Sequence, residues 1–270
     1  MALPITYLFV PGNRPDRFDK ALSSGADAVI LDLEDAVAAA EKDTARAAVG
    51  AWFGANRPES VRVLIRINDD TTSWFEDDLG LLRRVRAMGV MLPKAERTEQ
   101  IARAAAALRP GGIVVPLIET ARGLRAVDGI AAADAVQRLA FGTLDFAVDL
   151  DLSSDERGLL YPAMMIALAS RCAEKAPPIA GVTPAIGDDD ALSRDLAFAR
   201  AVGFTAKLCI HPRQVAAVRR ALSPSESEVD WAKRVLAATE NSAGVVQVDG
   251  RMIDRPVLLK ARSILDRAPS

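Results

Sequence analysis

The sequence predicts a (β/α)8 barrel followed by a C-terminal helix–hairpin–helix extension. Short apolar runs alternate with amphipathic stretches, and this alternation repeats eight times within about the first 220 residues. Several runs are rich in Val, Ile and Leu without polar alternation, which is typical of parallel strands buried on both faces. A doubly wound open sheet is the rival class. It is disfavoured because Pro11-Gly12-Asn13-Arg14, after the first run, lacks the G-x-G-x-x-G spacing of a phosphate-binding turn.

The apolar runs give the predicted strands of the barrel in chain order. Each is short enough for a strand, and each is followed by a stretch with helical spacing, as expected for βα units. The predicted strands are Tyr7–Val10, Ala28–Leu33, Val61–Ile67, Val90–Leu92, Ile113–Ile118, Val136–Phe141, Ile179–Val182 and Thr205–Ile210.

The intervening helices are predicted from apolar stripes of helical period. Leu79, Leu82 and Val85 place such a stripe on a helix that begins near Trp74. Glycine residues follow several helical stretches, where a helix C-terminus favours a left-handed residue: Gly25, Gly89, Gly111-Gly112 and Gly203.

Residues 1–222 are predicted to form the barrel, and residues 223–270 an extension too short to be a domain. The extension is predicted to contain a helix from the capping box of Ser225 and Glu228 towards Asn241, a hairpin around Asp249-Gly250, and a helix from Pro256 to about Leu265. Such an appendage is expected to cover the barrel mouth or to reach a neighbouring subunit.

Composition narrows the classes of function. Lys and Arg total 34 and Asp and Glu total 36, a net charge of −2, which argues against a nucleic-acid partner. No apolar run approaches the ~20 residues of a membrane span, and the first residues lack the layout of a signal peptide. The two cysteines, Cys172 and Cys209, fit a reducing compartment. We therefore expect a cytoplasmic protein without a membrane partner.

Acidic and basic residues follow the predicted strands, at the end where the chemistry of such barrels takes place. Glu119 and Asp145 follow strands five and six, which are neighbours. Two carboxylates without nearby cysteine or histidine suit a hard cation such as Mg²⁺. Each carboxylate alone could equally be a salt-bridge partner or a helix cap. Their position on one rim favours the metal site.

Two further residues at strand ends have competing interpretations. Arg66 ends a buried strand, where its guanidinium could bind a substrate carboxylate or form a structural pair with Asp32 or Glu34. His211 is the only histidine of the chain and begins the eighth helix. A packing or capping role is favoured for it over catalysis, because it has no evident partner.

Sequence blocks in a fixed order resemble the CitE-like branch of the HpcH/HpaI aldolase/citrate lyase family. Each block is weakly specific by itself, but together they extend over nearly the whole chain. The blocks are Leu8-Phe9-Val10-Pro11-Gly12-Asn13-Arg14-Pro15, Leu31-Asp32-Leu33-Glu34-Asp35-Ala36-Val37, Met91-Leu92-Pro93-Lys94, Ile118-Glu119-Thr120-Ala121-Arg122-Gly123, Ile210-His211-Pro212-Arg213-Gln214 and Gly250-Arg251-Met252-Ile253-Asp254.

The resemblance implies a Mg²⁺-dependent barrel lyase, usually a homotrimer, that acts on CoA esters of hydroxy acids. It assigns the metal to Glu119 and Asp145 and the substrate carboxylate to Arg66. Glu34 would organise water and the metal surroundings. The remaining implied roles are contacts with the CoA phosphates for Arg14 and Lys94, and acid/base catalysis on a neighbouring subunit for Asp254.

The implied reaction cleaves (or condenses) a 3-hydroxyacyl-CoA, such as malyl-, citramalyl- or citryl-CoA, into acetyl-CoA and a 2-oxo acid. Asp254 could equally cap the helix that opens at Pro256. The sequence departs from the family where Gly142-Thr143-Leu144-Asp145-Phe146 replaces a G-A-x-D-L pattern and where Pro162-Ala163-Met164-Met165 lacks an arginine common nearby. Both departures border the expected substrate pocket, so the acyl group is left open.

Other functions remain as alternatives. They are the β subunit of a citrate lyase complex acting on an acyl-carrier-protein thioester, an acyl-CoA thioesterase of the same family, and an inactive binding or scaffold barrel. An aldolase of the same superfamily is disfavoured, because the chain has no histidine before His211 to serve as its base.

Overall fold

A computed structural model describes residues 3–56, 62–153, 157–240 and 246–268 of the chain. The chain divides into two compact units. One is Pro4–Val218, and the other is formed by Leu3 and the chain from Arg219 onwards. The division falls within the helix that follows the eighth strand, and the lid or intersubunit role of residues 223–270 stays a prediction. Within the described ranges, no helix is both long and apolar enough to cross a lipid bilayer.

The first unit is a closed barrel of eight parallel strands in sequential order, which confirms the predicted fold class. Because the strands are buried on both faces, their apolar runs lack alternation. The strands are β1 Thr6–Pro11, β2 Ala28–Asp32, β3 Val63–Arg66, β4 Gly89–Leu92, β5 Ile113–Ile118, β6 Ala140–Phe141, β7 Ile179–Ala180 and β8 Ala206–Cys209.

Helices surround the barrel and continue into the second unit. Short 3-10 turns at Pro15–Arg17 and Ala39–Glu41 precede the first two. The helices are α1 Phe18–Leu22, α2 Lys42–Asn56, α3 Phe75–Val85, α4 Thr98–Ala106, α5 Ala121–Arg125, α6 Val127–Ala132, α7 Thr143–Asp149, α8 Arg157–Cys172, α9 Asp189–Ala201, α10 Pro212–Leu222, α11 Glu226–Glu240 and α12 Arg255–Arg267.

The barrel lumen is filled by side chains from every strand, so it is a packed core. Its buried members include Tyr7, Ile30, Leu64, Met91 and Leu208. A filled lumen leaves the strand ends as the place for polar chemistry.

Two boundary predictions were wrong. The predicted strand Val136–Phe141 is reduced to β6 Ala140–Phe141, and Val136 forms only an isolated bridge with Val114. Gly89 is not a left-handed helix cap. Arg86, with φ of 54°, ends α3 instead. Gly89 begins β4, where an added Cβ would lie 3.1 Å from Leu64 Cγ.

The second unit contains the predicted helix, hairpin and helix. The Ser225 backbone N–H donates to Glu228 Oε2 and the Glu228 N–H donates to Ser225 Oγ, which forms the predicted capping box of α11. Strands β9 Val246–Val248 and β10 Arg251–Ile253 pair antiparallel. Asp249 and Gly250 join them with φ of 52° and 75°, as a type I′ turn requires. Residue 245, part of the predicted hairpin, lies outside the described residues.

Candidate active site at the carboxyl ends of the barrel strands

Glu119 directly follows β5 and is buried, with 3% of its surface exposed. Its Oε1 accepts a hydrogen bond of 2.7 Å from the backbone N–H of Lys94. Lys94 has φ of 43°, a left-handed conformation that is unusual for a lysine. Burial, and then the charge of Glu34, raise the pKa of Glu119 to about 8. The nearby positive charge is therefore too small to offset the cost of ionising the buried Glu119 carboxyl group.

Asp145 reaches the same rim from the neighbouring strand. It lies in the first turn of α7, directly after β6, and β6 pairs with β5 through Phe141 and Ile118. Asp145 is exposed, and its charge adds to the rise in the pKa of Glu119. The structure thus brings these two predicted residues within electrostatic reach of each other.

Gly142 allows the turn that carries Asp145 to approach Glu119 closely. It precedes α7, and a Cβ added to it would lie 2.5 Å from Glu119 Oε2 and 2.6 Å from Glu119 Cβ. Any larger residue would therefore push against Glu119. From the sequence, Gly142 stands out only as part of the motif around Asp145, because a close approach between two loops leaves no pattern in a single sequence.

Arg66 ends β3 beside the carboxylates and is held as a fork. Its Nε and Nη2 each donate to Asp32 over 2.6 Å, and its guanidinium carbon lies 4.7 Å from the centre of the Phe9 ring. Asp32 in turn accepts the backbone N–H groups of Glu34 and Ala36. The structural pair considered for Arg66 is therefore present, and it orients the guanidinium. Nη1 lies 2.8 Å from Glu34 Oε2, so Arg66 is paired with both Asp32 and Glu34, and a ligand carboxylate would compete with Glu34.

Glu34 forms an ion pair with Arg66. Its Oε2 lies 2.8 Å from Arg66 Nη1 but outside hydrogen-bond geometry, and this buried oxygen has no hydrogen-bond partner. Burial raises the pKa of Glu34 to about 7, although Arg66 opposes the rise. An unpartnered buried carboxylate oxygen is a place where a bound water or ligand group would fit.

The donor set fits a hard divalent cation. The charges of Glu34 and Asp145 both disfavour ionisation of Glu119, so a cation there would relieve the repulsion. Among the described residues, no group of three or more His, Cys, Asp or Glu side chains is close enough to hold a metal. Glu119 and Asp145 stay the predicted protein ligands, and water or substrate would complete the oxygen shell that Mg²⁺ prefers.

The two cations predicted to meet CoA phosphates differ in their surroundings. Lys94 is half-buried, and its Nζ lies 3.3 Å from Asp69 Oδ2 at the rim beside Glu119. Arg14 is half-exposed and forms a fork on Asp16, with both nitrogen–oxygen distances 2.9 Å. A phosphate would therefore compete with a carboxylate at either position.

Asp254 and His211 both act as helix caps. Asp254 accepts the backbone N–H of Val257 over 3.0 Å at the start of α12, in the second compact unit. His211 Nδ1 accepts the backbone N–H of Arg213 over 3.1 Å at the start of α10. The capping roles considered for both are present, and the acid/base role of Asp254 stays a prediction.

Comparison with known proteins places this site in a family. The HpcH/HpaI aldolase/citrate lyase family profile matches residues 6–212, and a profile described as a C–C bond lyase of the TIM-barrel fold matches residues 167–270. The chain belongs to the HpcH/HpaI aldolase/citrate lyase family. The resemblance carried by the sequence blocks is thereby confirmed, and members of this family are enzymes.

Similar proteins include enzymes with two different names. A citrate lyase subunit beta-like protein of Mycobacterium tuberculosis is 37% identical, over 97% of this chain and 94% of the relative. A (3S)-malyl-CoA thioesterase of Cereibacter sphaeroides is 31% identical, over 97% and 94%. The crystal structure of CitE from Mycobacterium tuberculosis with magnesium, acetoacetate and coenzyme A has a TM-score of 0.85 and 38% identity, and covers 99% of this chain and 98% of that chain.

Proposed function

We propose that this family member is a Mg²⁺-dependent carbon–carbon lyase that cleaves, or forms, a 3-hydroxyacyl-CoA. The observation that carries the proposal is that Glu119, Asp145 and the Arg66 fork lie at or just after the ends of strands β5, β6 and β3, at the carboxyl-terminal rim of one barrel. The similar CitE protein was solved with magnesium, acetoacetate and coenzyme A, and in another structure with magnesium and pyruvate, a 2-oxo acid.

Arg66 would bind and orient the substrate. Since Asp32 fixes the guanidinium through Nε and Nη2, the group is already oriented, and a substrate carboxylate would compete with Glu34 for Nη1. This orientation would align the bond to be broken. Mg²⁺ held by Glu119 and Asp145 would supply Lewis acidity, which favours deprotonation of a hydroxyl and stabilises a developing keto oxygen.

Proton transfer would complete the cleavage. The hydroxyl would lose its proton to the water beside Glu34 as the bond between the hydroxyl-bearing carbon and the carbon next to the thioester breaks; the 2-oxo acid leaves, and the acetyl-CoA enolate takes up a proton. Asp254 of a neighbouring subunit is the proposed donor. Its Oδ1 accepts the N–H of Val257, and its other oxygen would carry the proton. Glu34, whose pKa of about 7 allows both forms near neutral pH, would hold water at Oε2, which pairs with Arg66 but accepts no hydrogen bond.

The proposal includes a homotrimer, since Asp254 is assigned to a neighbouring subunit. Large apolar side chains exposed on α7 and α8 support an oligomer, because such surface usually marks an interface. They include Val148, Tyr161 and Leu168. Light scattering coupled to gel filtration would test this state, and a monomer at working concentration would contradict it.

Thioester hydrolysis is the second candidate, favoured by the likeness to the (3S)-malyl-CoA thioesterase. The protein would be incubated with malyl-, citramalyl-, methylmalyl- and citryl-CoA, each with and without Mg²⁺. The products would be identified by mass spectrometry. Acetyl-CoA (or propionyl-CoA from methylmalyl-CoA) with a 2-oxo acid supports the lyase. Free CoA with an intact hydroxy acid supports the thioesterase. Turnover of an acyl-carrier-protein thioester alone would favour the citrate lyase subunit, and no turnover would favour a scaffold.

A further inference from the structure

Lys207 is a buried cation to which the proposed mechanism assigns no role. It lies on β8 with 2% of its surface exposed. Its neighbours Ala206 and Leu208 point into the barrel lumen, so alternation places Lys207 on the outer face of the strand. Burial lowers the pKa of Lys207. A lysine kept in such a place needs an explanation, because burying its charge is costly.

The Lys207 amine joins the loop after β7 to α9. Its Nζ donates to the carbonyl oxygen of Gly181 over 2.6 Å and lies 3.7 Å from Asp195 Oδ2. Asp195 accepts a short hydrogen bond from the hydroxyl of Thr183, two residues beyond Gly181. Lys207 therefore fixes the backbone at the point where the chain leaves β7.

Gly181 lies closely against the loop that carries Asp145. A Cβ added to Gly181 would lie 2.6 Å from Thr143 Oγ1 and 2.8 Å from the carbonyl oxygen of Phe141. Thr143 is the first residue of α7, and Asp145 follows in the same helical turn. On the other side, Gly142 rests against Glu119. The segment from Gly142 to Asp145 therefore contacts Glu119 through Gly142 and Gly181 through Thr143.

We infer that Lys207 is a positioning residue for the metal site: by holding Gly181 against Thr143, it fixes the turn that sets Asp145 opposite Glu119. This inference rests on the proposed function, because it assumes that the two carboxylates bind Mg²⁺. Substitution of outer-shell residues that position metal ligands typically lowers metal affinity or activity by roughly 10–100-fold.

The test is direct metal binding by Lys207→Met, which removes the amine and keeps much of the side-chain volume. Mg²⁺ binding would be measured by calorimetry, and Mn²⁺ binding by electron paramagnetic resonance. We expect metal affinity to fall roughly tenfold or more. The matched control is Lys175→Met. Lys175 Nζ also donates to a backbone carbonyl, that of Ala133 over 3.1 Å, but on the opposite, amino-terminal side of the barrel. The control should bind metal like the wild type.

A measurement on the unaltered protein covers the case in which Lys207→Met does not fold. Since coupling between two sites is reciprocal, Mg²⁺ should shift the side-chain NMR signal of Lys207 and leave that of Lys175 unchanged. Unchanged metal affinity in folded Lys207→Met, or no shift of the Lys207 signal at saturating Mg²⁺, would overturn the inference alone. Failure of the wild type to bind Mg²⁺ would instead overturn the proposed function.

Discussion

Substitution of Gly142 by alanine tests whether the contact between the α7 turn and Glu119 sets the active site. Gly142 has φ of −84° and ψ of 80°, so the new residue would not need a left-handed backbone. The effect is therefore steric. The added Cβ would lie 2.5 Å from Glu119 Oε2 and 2.6 Å from Glu119 Cβ, whereas carbon atoms in contact are about 3.5–4.0 Å apart.

About 1 Å of movement must follow, shared between Glu119 and the turn that carries Asp145. Overpacking of this kind costs about 1–3 kcal/mol of stability. A displacement of ~1 Å among catalytic groups can cost about 100-fold in rate. We therefore expect Gly142→Ala to remain folded, to lose roughly 100-fold in Mg²⁺-dependent kcat, and to bind Mg²⁺ more weakly.

The assay compares kcat, Mg²⁺ affinity and urea unfolding for Gly142→Ala and a control, Gly80→Ala. Gly80 lies within α3, and a Cβ added there meets nothing within 4 Å. The control should gain about 0.5–1 kcal/mol of stability, since alanine favours a helix, with unchanged kcat. Wild-type kcat and Mg²⁺ affinity in Gly142→Ala would refute the steric reasoning.

Three further predictions concern the same rim. Arg66→Lys should cost about 1–3 kcal/mol in urea unfolding and raise KM for the thioester, because a lysine cannot form the fork on Asp32; unchanged values of both would remove Arg66 from the binding role. In Lys94→Gly, the new glycine can adopt the φ of 43°, and its backbone N–H still donates to Glu119. The variant should therefore keep its Mg²⁺ affinity, while the loss of the lysine side chain raises KM for the CoA thioester. Lost Mg²⁺ affinity with unchanged KM would contradict this. In the metal-free protein, the pKa of Glu119 is about 8 in the folded state and an ordinary 4.5 in the unfolded state. Between these two pH values the folded state binds one more proton than the unfolded state, so the free energy of unfolding should fall as the pH rises from about 4.5 to about 8. Thermal unfolding should show a shallower fall in Glu119→Gln, and an equal slope in both proteins would count against the buried charge.

The barrel was predictable because its strands are apolar without alternation and are separated by helical stripes. The same order of strands placed Glu119 and Asp145 on neighbouring ends, which β5 and β6 confirm. Strand length was less predictable. Residues 136–139 contain Gln137 and Arg138 between Val136 and Leu139, and only an isolated bridge at Val136 precedes β6 there.

Contacts between distant loops could not be read from the sequence. The close approaches of Gly142 to Glu119 and of Gly181 to Thr143, and the hydrogen bond from Lys207 to Gly181, join residues from four successive βα units. A single sequence gives only spacing along the chain, whereas these contacts depend on how far each loop approaches the next. For the same reason, spacing left the partner of Arg66 open, and the structure shows Asp32 holding it.

The most direct test of the account is Mg²⁺ binding to the wild type and to Glu119→Gln and Asp145→Asn, measured by calorimetry, with thermal unfolding as a check of folding. We expect a single Mg²⁺ site in the wild type and a loss of affinity of at least about tenfold in each folded variant. Equal Mg²⁺ affinity in the wild type and in either variant would contradict the claim that these two carboxylates hold the metal.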